Sequence, residues 1–375
     1  MCVYLDNSAT TKPCDVAVKK ALEMCSENFG NPSSLHMGGF NAKKELDSAR
    51  NSISRFLSCS DNEIFFTPSG TIANYTAIIG TARTKKREGK KIITTLLEHP
   101  SVLKNFELLA EQGFDTVYLK PNKDGKIDLE EFSNAVDENT ILVSVMAVNN
   151  EVGSIQDIDK IKGIIRDKKS KAYFHCDAVQ AFGKIPLKPK KMGIDLMSMS
   201  AHKIHGLKGA GALYVNSSIR LMPAILGGGQ ENGLVSGTEA MPAICAFAAA
   251  VNDIGNVERN LNTVSEVKEY FINKISELDR VYVNSPENAL PYIINISVEG
   301  VPSQVMLNSL SSMGIYVSAG SACAKGHRSD VLTAMGIEPK RIDSAIRISL
   351  SKTTTTKDMD LLYNGIVETI KRVRR

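Results

Sequence analysis

An acid and a lysine each follow a buried-type apolar segment in the middle of the chain. Asp177 comes directly after residues 171–176, and Lys203 follows residues 195–199. Because the carboxyl ends of strands in an open α/β sheet form its ligand crevice, both side chains would face one pocket. Pyridoxal phosphate (PLP) requires such a pair, since a lysine holds its aldehyde as a Schiff base and a carboxylate keeps its ring nitrogen protonated. On spacing alone, a helix-capping Asp177 and a surface Lys203 explain the pattern as well.

A phosphate site is also predicted, in the segment FFTPSGTIANYTAI. An apolar strand is followed by Gly70 and Thr71 and then by a helix with apolar periodicity. Backbone N–H groups at a helix start favour an anion. The alternative is an ordinary loop with Thr71 as the N-cap.

Two further polar groups follow predicted strands. His99, in LEHPSV, opens a helix and could stack on a flat ring, although a lone histidine there is more often structural. Asn149 and Asn150, in AVNNEVG, could reach a ring substituent, and turn formation explains them equally well.

Cys323 is a candidate nucleophile. It lies in SAGSACAKGHR, where small residues are suited to a mobile loop and Lys325, His327 and Arg328 favour a thiolate. Cys176 and Cys245, in apolar settings, are typical of packed free cysteines. The chain has 7 cysteines and no C-x-x-C pair, which argues against a disulfide framework or a zinc knuckle.

Arg347 is a candidate anion-binding residue. It alternates with Ile346 and Ile348 on a predicted strand and so points away from their face. Its planar guanidinium could bind a carboxylate in two places. A solvated strand face is the alternative.

No metal site is predicted. Five residues match positions of a calcium-binding EF-hand loop, namely Asn122, Asp124, Gly125, Asp128 and Glu131. Lys120 occupies the position of the first carboxylate ligand, so a turn with Asp128 capping a helix near Leu129 is the preferred interpretation. His202 and His205 have no further ligand at a usual spacing.

The elements that would position these residues form an α/β pattern. From residue 61 to 215, short apolar runs alternate with helical segments, which predicts a mostly parallel sheet covered on both faces. The predicted strands are residues 63–66, 91–96, 116–119, 140–147, 171–176, 195–199 and 212–215, and residues 41–57 form a helix. After residue 255 the order becomes α+β. We therefore predict a large domain at 13–255 and a small domain at 1–12 and 256–375 that carries Cys323, with a site in the cleft between them.

Composition narrows the function classes. The chain has 375 residues, 43% of them hydrophobic and 23% charged, as in globular proteins. The net charge of +4 is scattered, which argues against nucleic-acid binding. The longest apolar stretch, residues 241–251, is shorter than the roughly 18 residues that a membrane span needs. The N-terminus has no basic leader or signal-length apolar run, so a cytoplasmic protein is expected.

Together these segments resemble the NifS/IscS-type cysteine desulfurases of the class V aminotransferase family, which have PLP fold type I. The resemblance covers about nine tenths of the chain, from VYLDNSATTKP to SAIRISL. The intervening motifs are GNPSSLH, EHPSVL, VNNEVGSIQDI, DAVQAFGKIPL, SAHKIHGLKG, GGGQENGLVSGT and VSAGSACAKG.

The resemblance implies a role for each candidate. Lys203 would carry PLP, with His99 stacked on the ring and Asp177 at the pyridine nitrogen. The phenolic oxygen would meet Asn150 and Gln180. The phosphate would be held by Gly70, Thr71, Ser200 and His202, and by Thr238 of a second subunit, which implies a homodimer with shared sites. The substrate would be bound by Asn150 and Arg347.

The implied reaction converts L-cysteine to L-alanine and leaves a persulfide on Cys323, which passes to an iron-sulfur scaffold or a tRNA-thiolation sulfurtransferase. A transaminase or lyase without sulfur transfer, including a selenocysteine lyase, and a non-catalytic PLP-binding protein stay open. Several positions depart from the family pattern: Ile72 replaces a frequent glutamate, Gln230 and Asn232 a frequent His and Arg, and Val235 a common arginine. The segment after Cys323 is also about two residues shorter than the commonest form.

Overall fold

A computed structural model describes residues 2–319 and 328–374 of the chain. The strands in these ranges are β1 (Val3–Tyr4), β2 (Ile64–Thr67), β3 (Lys91–Thr95), β4 (Asp115–Leu119), β5 (Thr140–Ser144), β6 (Tyr173–Asp177), β7 (Leu196–Ser200), β8 (Gly211–Val215), β9 (Val281–Val283), β10 (Ile293–Val298), β11 (Ile315–Tyr316) and β12 (Ala345–Ser349). The α-helices are α1 (Asp15–Ser26), α2 (Met37–Leu57), α3 (Gly70–Lys85), α4 (Pro100–Glu111), α5 (Leu129–Ala135), α6 (Ile158–Asp167), α7 (Pro189–Met192), α8 (Met241–Asn252), α9 (Val257–Ile275), α10 (Ser303–Ser312), α11 (Asp330–Ala334), α12 (Pro339–Ile342) and α13 (Thr356–Val373).

The large sheet is the predicted one. Within the described residues it has seven strands in the order β2-β8-β7-β6-β5-β3-β4. Its neighbours from β7 to β4 are parallel, and only β8 is antiparallel to both of its partners. Strands β5, β7 and β8 are buried along their whole length, as expected where helices cover both faces. The prediction of a mostly parallel seven-stranded sheet is confirmed.

The ends of some elements differ from the predictions. The predicted strand 140–147 leaves the ladder at Ser144, although Val145 and Ala147 still donate backbone hydrogen bonds to His175 and Asp177. Helix α2 starts at Met37, four residues before the predicted position 41, because the His36 side chain accepts a hydrogen bond from the first turn.

The EF-hand-like segment is a turn that leads into a helix. The Asp128 side chain accepts hydrogen bonds from the backbone N–H groups of Glu130 and Glu131, and α5 begins at Leu129. The cap predicted from the sequence is therefore confirmed. Among the described residues, no group of three or more His, Cys, Asp or Glu side chains is arranged to hold a metal ion.

Two smaller sheets bring both ends of the chain together. Strand β10 pairs antiparallel with β12 and β9, and β1 pairs parallel with β11. Isolated bridges join Asp6 to Ser349 and Ser318 to Arg347, so the start of the chain lies against β12. The α+β order predicted after residue 255 is observed, and the domain limits 13–255 and 256–375 stay a prediction. In the part of the chain that the structure describes, no helix is long and apolar enough to cross a membrane.

Candidate active site

A cavity of about 460 Å³ opens at the carboxyl edge of the large sheet. Strands β2, β3, β5, β6 and β7 all end toward it, because β2 runs in the same direction as the parallel strands. Its lining includes Gly70, Thr71, Asn74, Glu98, His99, Asn150, Asp177, Gln180, Ser200, His202, Lys203 and Arg347. All the predicted cofactor and substrate residues that are described therefore line one cavity, except Thr238.

Lys203 reaches the cavity from a short 3-10 turn, Ala201–Lys203, that follows β7. Its Nζ donates hydrogen bonds to the carbonyl oxygens of Ser8, at 2.6 Å, and Ala9, at 2.8 Å. Burial and the charge of Arg347 together lower the pKa of Lys203 to about 8, and Asp177 opposes the shift. Lys203 therefore has a larger fraction of neutral amine near neutral pH than an ordinary lysine, and the neutral amine is the form that condenses with an aldehyde.

Asp177 ends β6 and is buried. Its Oδ1 accepts a hydrogen bond from the backbone N–H of Val179 at 2.9 Å, and its Oδ2 accepts one from Asn74 Nδ2 at 2.8 Å. Asn74 lies one turn into α3 and was not predicted from the sequence. A buried amide on an otherwise apolar helix face is the signal that could have identified it.

His99 is the N-cap of α4, as predicted. Its Nδ1 lies 2.8 Å from Ser101 Oγ and accepts the backbone N–H of Ser101 at 3.1 Å. The ring keeps contact with solvent in the cavity, yet the surrounding protein atoms remove enough water to lower the pKa of His99. Asp177 acts in the opposite direction, and Lys203 lowers the pKa further.

The expected phosphate end lies at the start of α3. Ser69, not Thr71, is the N-cap, because its side chain accepts the backbone N–H of Ile72; the sequence alternative with Thr71 as cap is wrong. Gly70 and Thr71 occupy the first turn, where N–H groups lack intrahelical acceptors. A Cβ at Gly211 would lie 2.6 Å from the Ser69 carbonyl carbon, so glycine there lets this loop approach the sheet.

His202 also lines the cavity. Its Nδ1 is 3.1 Å from Thr10 Oγ1. Burial, with the nearby charges of Lys203 and Lys208, lowers the pKa of His202 to about 4. The ring is therefore neutral at neutral pH and can donate one hydrogen bond.

A second part of the cavity lining is built around Arg347. The side chain is buried, with an ion pair of 2.9 Å from Nη2 to Asp6 Oδ1 and a hydrogen bond of 3.1 Å from Nη1 to the Asn150 carbonyl. The alternative of a solvated strand face is wrong. Asn149 forms the turn, since its Oδ1 accepts the backbone N–H groups of Glu151 and Val152, and Asn150 lines the cavity.

Gln180 is held by two fixed partners. Its Nε2 donates to the Ser8 carbonyl at 2.9 Å, and its Oε1 accepts from Lys184 Nζ at 3.1 Å. Lys184 is buried, and burial lowers its pKa to about 7, with Lys203 and Arg347 adding to the shift.

Glu98 is a second cavity residue that sequence reasoning missed. It is buried, and its Oε1 accepts the backbone N–H of Met146 at 2.5 Å, whereas Oε2 has no partner. Burial raises the pKa of Glu98 well above its usual value, and the nearby charge of Asp177 adds to the effect. Both effects favour the neutral carboxylic acid form of Glu98.

The donor set of the cavity fits PLP. An amine of lowered pKa, a buried carboxylate, a capping imidazole and a helix start lie around one space. Four cavity residues among those described also carry buried side-chain atoms without a hydrogen-bond partner: Ser8 Oγ, Asn74 Oδ1, Glu98 Oε2 and Arg347 Nε. Buried polar atoms normally have partners, so their concentration here indicates a polar ligand.

Cys323 lies outside the described residues. The chain on its amino-terminal side is joined to the cavity by Ser318, whose backbone exchanges hydrogen bonds with that of Arg347. On the other side, Ser329 Oγ donates to Glu151 Oε2 at 2.5 Å, and Ser329 caps α11. Both flanks of the segment are therefore fixed at the cavity.

Thr238 is exposed and does not line the cavity of its own chain. Gln230, in the same loop, accepts the backbone N–H of Gly237. At two other positions the chain departs from the family pattern, and both residues belong to one apolar cluster: Val235 is buried in it and Ile72 packs at its edge. Apolar side chains thus stand at both positions where the resemblance leads us to expect charged ones.

Comparison with known proteins agrees with this fold. Residues 3–362 match the family described as aminotransferase class-V. The chain is 37% identical over 376 residues to the cysteine desulfurase IscS of Methanosarcina thermophila, covering 99% of this chain and 93% of the relative. A solved structure described as a NifS-like protein has a TM-score of 0.94 at 35% identity, covering 99% of this chain and 100% of that one. Another, described as SspA in complex with cysteine, has a TM-score of 0.83 at 32% identity, covering 94% and 99%.

The sheet order and these neighbours define a protein of PLP fold type I. The chain belongs to the aminotransferase class-V family and, within it, to the NifS/IscS-type cysteine desulfurases.

Proposed function

We propose that this protein binds PLP through Lys203 and removes sulfur from L-cysteine, giving L-alanine and a persulfide on Cys323. The observation that carries the proposal is the convergence of Lys203, Asp177, His99 and Arg347 on one cavity. When bound, PLP supplies an electron sink for the carbon atom next to the substrate carboxylate.

Each proposed cofactor-binding residue would contact a different part of PLP. The Asp177 carboxylate would hold the proton of the ring nitrogen, and His99 would stack on the ring. Gln180 and Asn150 would lie near the phenolic oxygen. The phosphate would meet the first N–H groups of α3 together with a set of side chains: Thr71, Ser200 and His202.

Arg347 would bind the substrate carboxylate. The Arg347 side chain is already held by Asp6 and by the Asn150 carbonyl, so little side-chain entropy is lost on binding. The neutral amine of Lys203, with its pKa of about 8, would act as the general base for the α proton.

The sulfur step balances without an added oxidant. The Cys323 thiolate attacks the substrate sulfur, so an S–S bond forms and the substrate C–S bond breaks. The three-carbon remainder takes up a proton and leaves as L-alanine, and the thiol has become a persulfide.

A homodimer with shared sites is part of the proposal. Large apolar side chains are exposed near the N-terminus, namely Leu22, Phe29, Leu35, Met37 and Phe40. Exposed apolar clusters of this kind are typical of interfaces. Thr238, which does not line the cavity of its own chain, would reach the phosphate in the second subunit. We also propose a cytoplasmic location and a protein acceptor for the persulfide, either an iron-sulfur scaffold or a tRNA-thiolation sulfurtransferase.

The test uses purified holoenzyme incubated with L-cysteine and an excess of dithiothreitol, which reduces the persulfide and releases its outer sulfur as sulfide, with alanine, keto acid and sulfide measured together. We expect alanine and sulfide in equal amounts and no keto acid. Cys323→Ala should keep the cofactor absorbance and lose sulfide release, whereas the matched variant Cys25→Ala, at an exposed cysteine on α1, should retain both.

Keto acid as the main product would instead identify a transaminase or lyase. Full sulfide release by the Cys323 variant would remove that residue from the mechanism. A large preference for selenocysteine over cysteine would reassign the substrate.

A further inference from the structure

A chain of hydrogen bonds connects Asp177 to His99 through two residues with no role in the proposed reaction. Asn74 Nδ2 lies 2.8 Å from Asp177 Oδ2 and 2.9 Å from Ser101 Oγ, and Ser101 Oγ lies 2.8 Å from His99 Nδ1. Asn74 is buried, and its Oδ1 has no hydrogen-bond partner.

The direction of the chain follows from its first member. An ionised carboxylate only accepts hydrogen bonds, so the Asn74 amide must turn its NH₂ group toward Asp177. If the amide were flipped, Asn74 Oδ1 would lie against the Asp177 carboxylate oxygen, and two hydrogen-bond acceptors would face each other. In the observed orientation the two N–H bonds of Asn74 Nδ2 serve Asp177 and Ser101, and Ser101 Oγ therefore accepts.

The last link is then determined. Ser101 has one hydroxyl proton, and with its oxygen accepting from Asn74 it donates that proton to His99 Nδ1. The backbone N–H of Ser101 donates to the same nitrogen at 3.1 Å. Two donors that converge on Nδ1 leave no room for a proton there.

We propose that Asn74 and Ser101 are positioning residues that hold His99 as a neutral ring with its proton on Nε2. Nε2 is then the only ring nitrogen available to a ligand in the cavity, and it is a hydrogen-bond donor. The consequence for catalysis rests on the proposed function: at this nitrogen His99 donates a hydrogen bond to cofactor or substrate and does not accept a proton from them.

The tautomer can be measured without reference to activity. Holoenzyme labelled with ¹⁵N-histidine, studied by solid-state NMR, distinguishes protonated from unprotonated ring nitrogens, and the difference spectrum against His99→Gln assigns the signals of His99 among the 6 histidines. We expect an unprotonated Nδ1 and a protonated Nε2. A protonated Nδ1 in the wild-type protein overturns the proposal.

Variants test the two positioning residues. Ser101→Ala should shift the tautomer ratio toward Nδ1–H by about three- to tenfold, the effect of one net hydrogen bond, and Ser101→Thr should restore it. Asn74→Leu should act in the same direction, because the hydroxyl of Ser101 is then free to turn away. Thr76→Val, at another buried polar position of α3, and Lys104→Ala, at an exposed position of α4, should leave the His99 signals unchanged.

A spectrum of Ser101→Ala identical to wild type overturns the proposal even if Asn74→Leu fails to fold. An inactive wild-type protein with the expected spectrum would refute the proposed function and leave the hydrogen-bond chain intact.

Discussion

The two ends of the cavity are built in different ways. At the proposed cofactor end, Asp177 and Ser200 are the last residues of the adjacent parallel strands β6 and β7 and Lys203 follows β7, so their positions are set by the strand ends. At the substrate end, Arg347 is held by Asp6, which is 341 positions away in the sequence. Local order along the chain brings the residues of the first part to the strand ends, and the carbonyls of Ser8 and Ala9 then fix the Lys203 side chain. The second part depends throughout on the start of the chain being packed against β12.

We expect the two parts of the cavity to have different roles: covalent attachment of the cofactor at Lys203 and recognition of the substrate at Arg347. The sheet edge is buried in the main core, so the lysine and the acid are fixed by a large amount of packed structure. The substrate end is held by one ion pair and a few bridges between the chain termini. We expect substitutions at the first end to remove the reaction and those at the second to weaken substrate binding.

The largest effect is expected at Lys203. Lys203→Ala should abolish the covalent attachment of PLP, because among the described residues no other lysine lines the cavity. Borohydride reduction followed by peptide mass spectrometry checks this, with Lys208→Ala, at an exposed lysine in the same segment, as the matched control. Reduced cofactor on another lysine would contradict the assignment.

A smaller effect is expected at Arg347. Arg347→Leu should lower kcat/KM for L-cysteine by about ten- to hundredfold, since a charge-assisted pair of hydrogen bonds to the carboxylate is lost. Covalent attachment of PLP should persist, which separates the two ends of the cavity. An unchanged kcat/KM would exclude carboxylate binding by Arg347.

The pH dependence of cofactor attachment tests whether the charge of Arg347 acts on Lys203. The rate at which the cofactor-free protein captures PLP should rise with pH as Lys203 loses its proton, with a midpoint near its pKa of about 8. Arg347 lowers this pKa and Asp6 raises it. The midpoint should therefore move to higher pH in Arg347→Leu and to lower pH in Asp6→Asn; shifts of the same sign in both variants would contradict the charge coupling.

The smallest effect is expected at Glu98, in the pH dependence of stability. The pKa of Glu98 is raised in the folded protein, so the folded state keeps the proton as pH rises above the usual value of 4.5, whereas the unfolded state loses it. Stability of the wild type relative to Glu98→Gln should then fall by about 1.4 kcal/mol per pH unit above that value, until the folded pKa is reached.

Chemical denaturation of both proteins at several pH values between 5 and 8 measures this difference. A difference that is independent of pH would show that Glu98 is ionised in the folded protein.

Much of the cofactor end could be predicted from the sequence. The strands that lead to Asp177 and Lys203 are short apolar runs, and such runs in a doubly covered sheet are recognisable one at a time. His99 was also placed correctly, because a histidine followed by proline after a strand indicates the start of a helix. Cys323 was identified by its neighbours in the sequence, and its geometry lies outside the described residues.

Asn74, Glu98 and Asp6 could not be predicted in this way. Asn74 meets Asp177 across 103 positions, and Glu98 is neutral only because burial and the charge of Asp177 act on it together. Neither effect leaves a periodic signal in the local sequence.

The sequence by itself therefore determined the order of strands and helices and the identity of the residues at the strand ends, because hydrophobic periodicity and capping act over a few residues. The tertiary structure alone decided which distant side chains meet: the ion pair of Arg347 with Asp6 and the hydrogen-bond chain from Asp177 to His99. Such contacts depend on the packing of whole elements, and with it on the loss of water around each charge, which no short segment of the chain encodes.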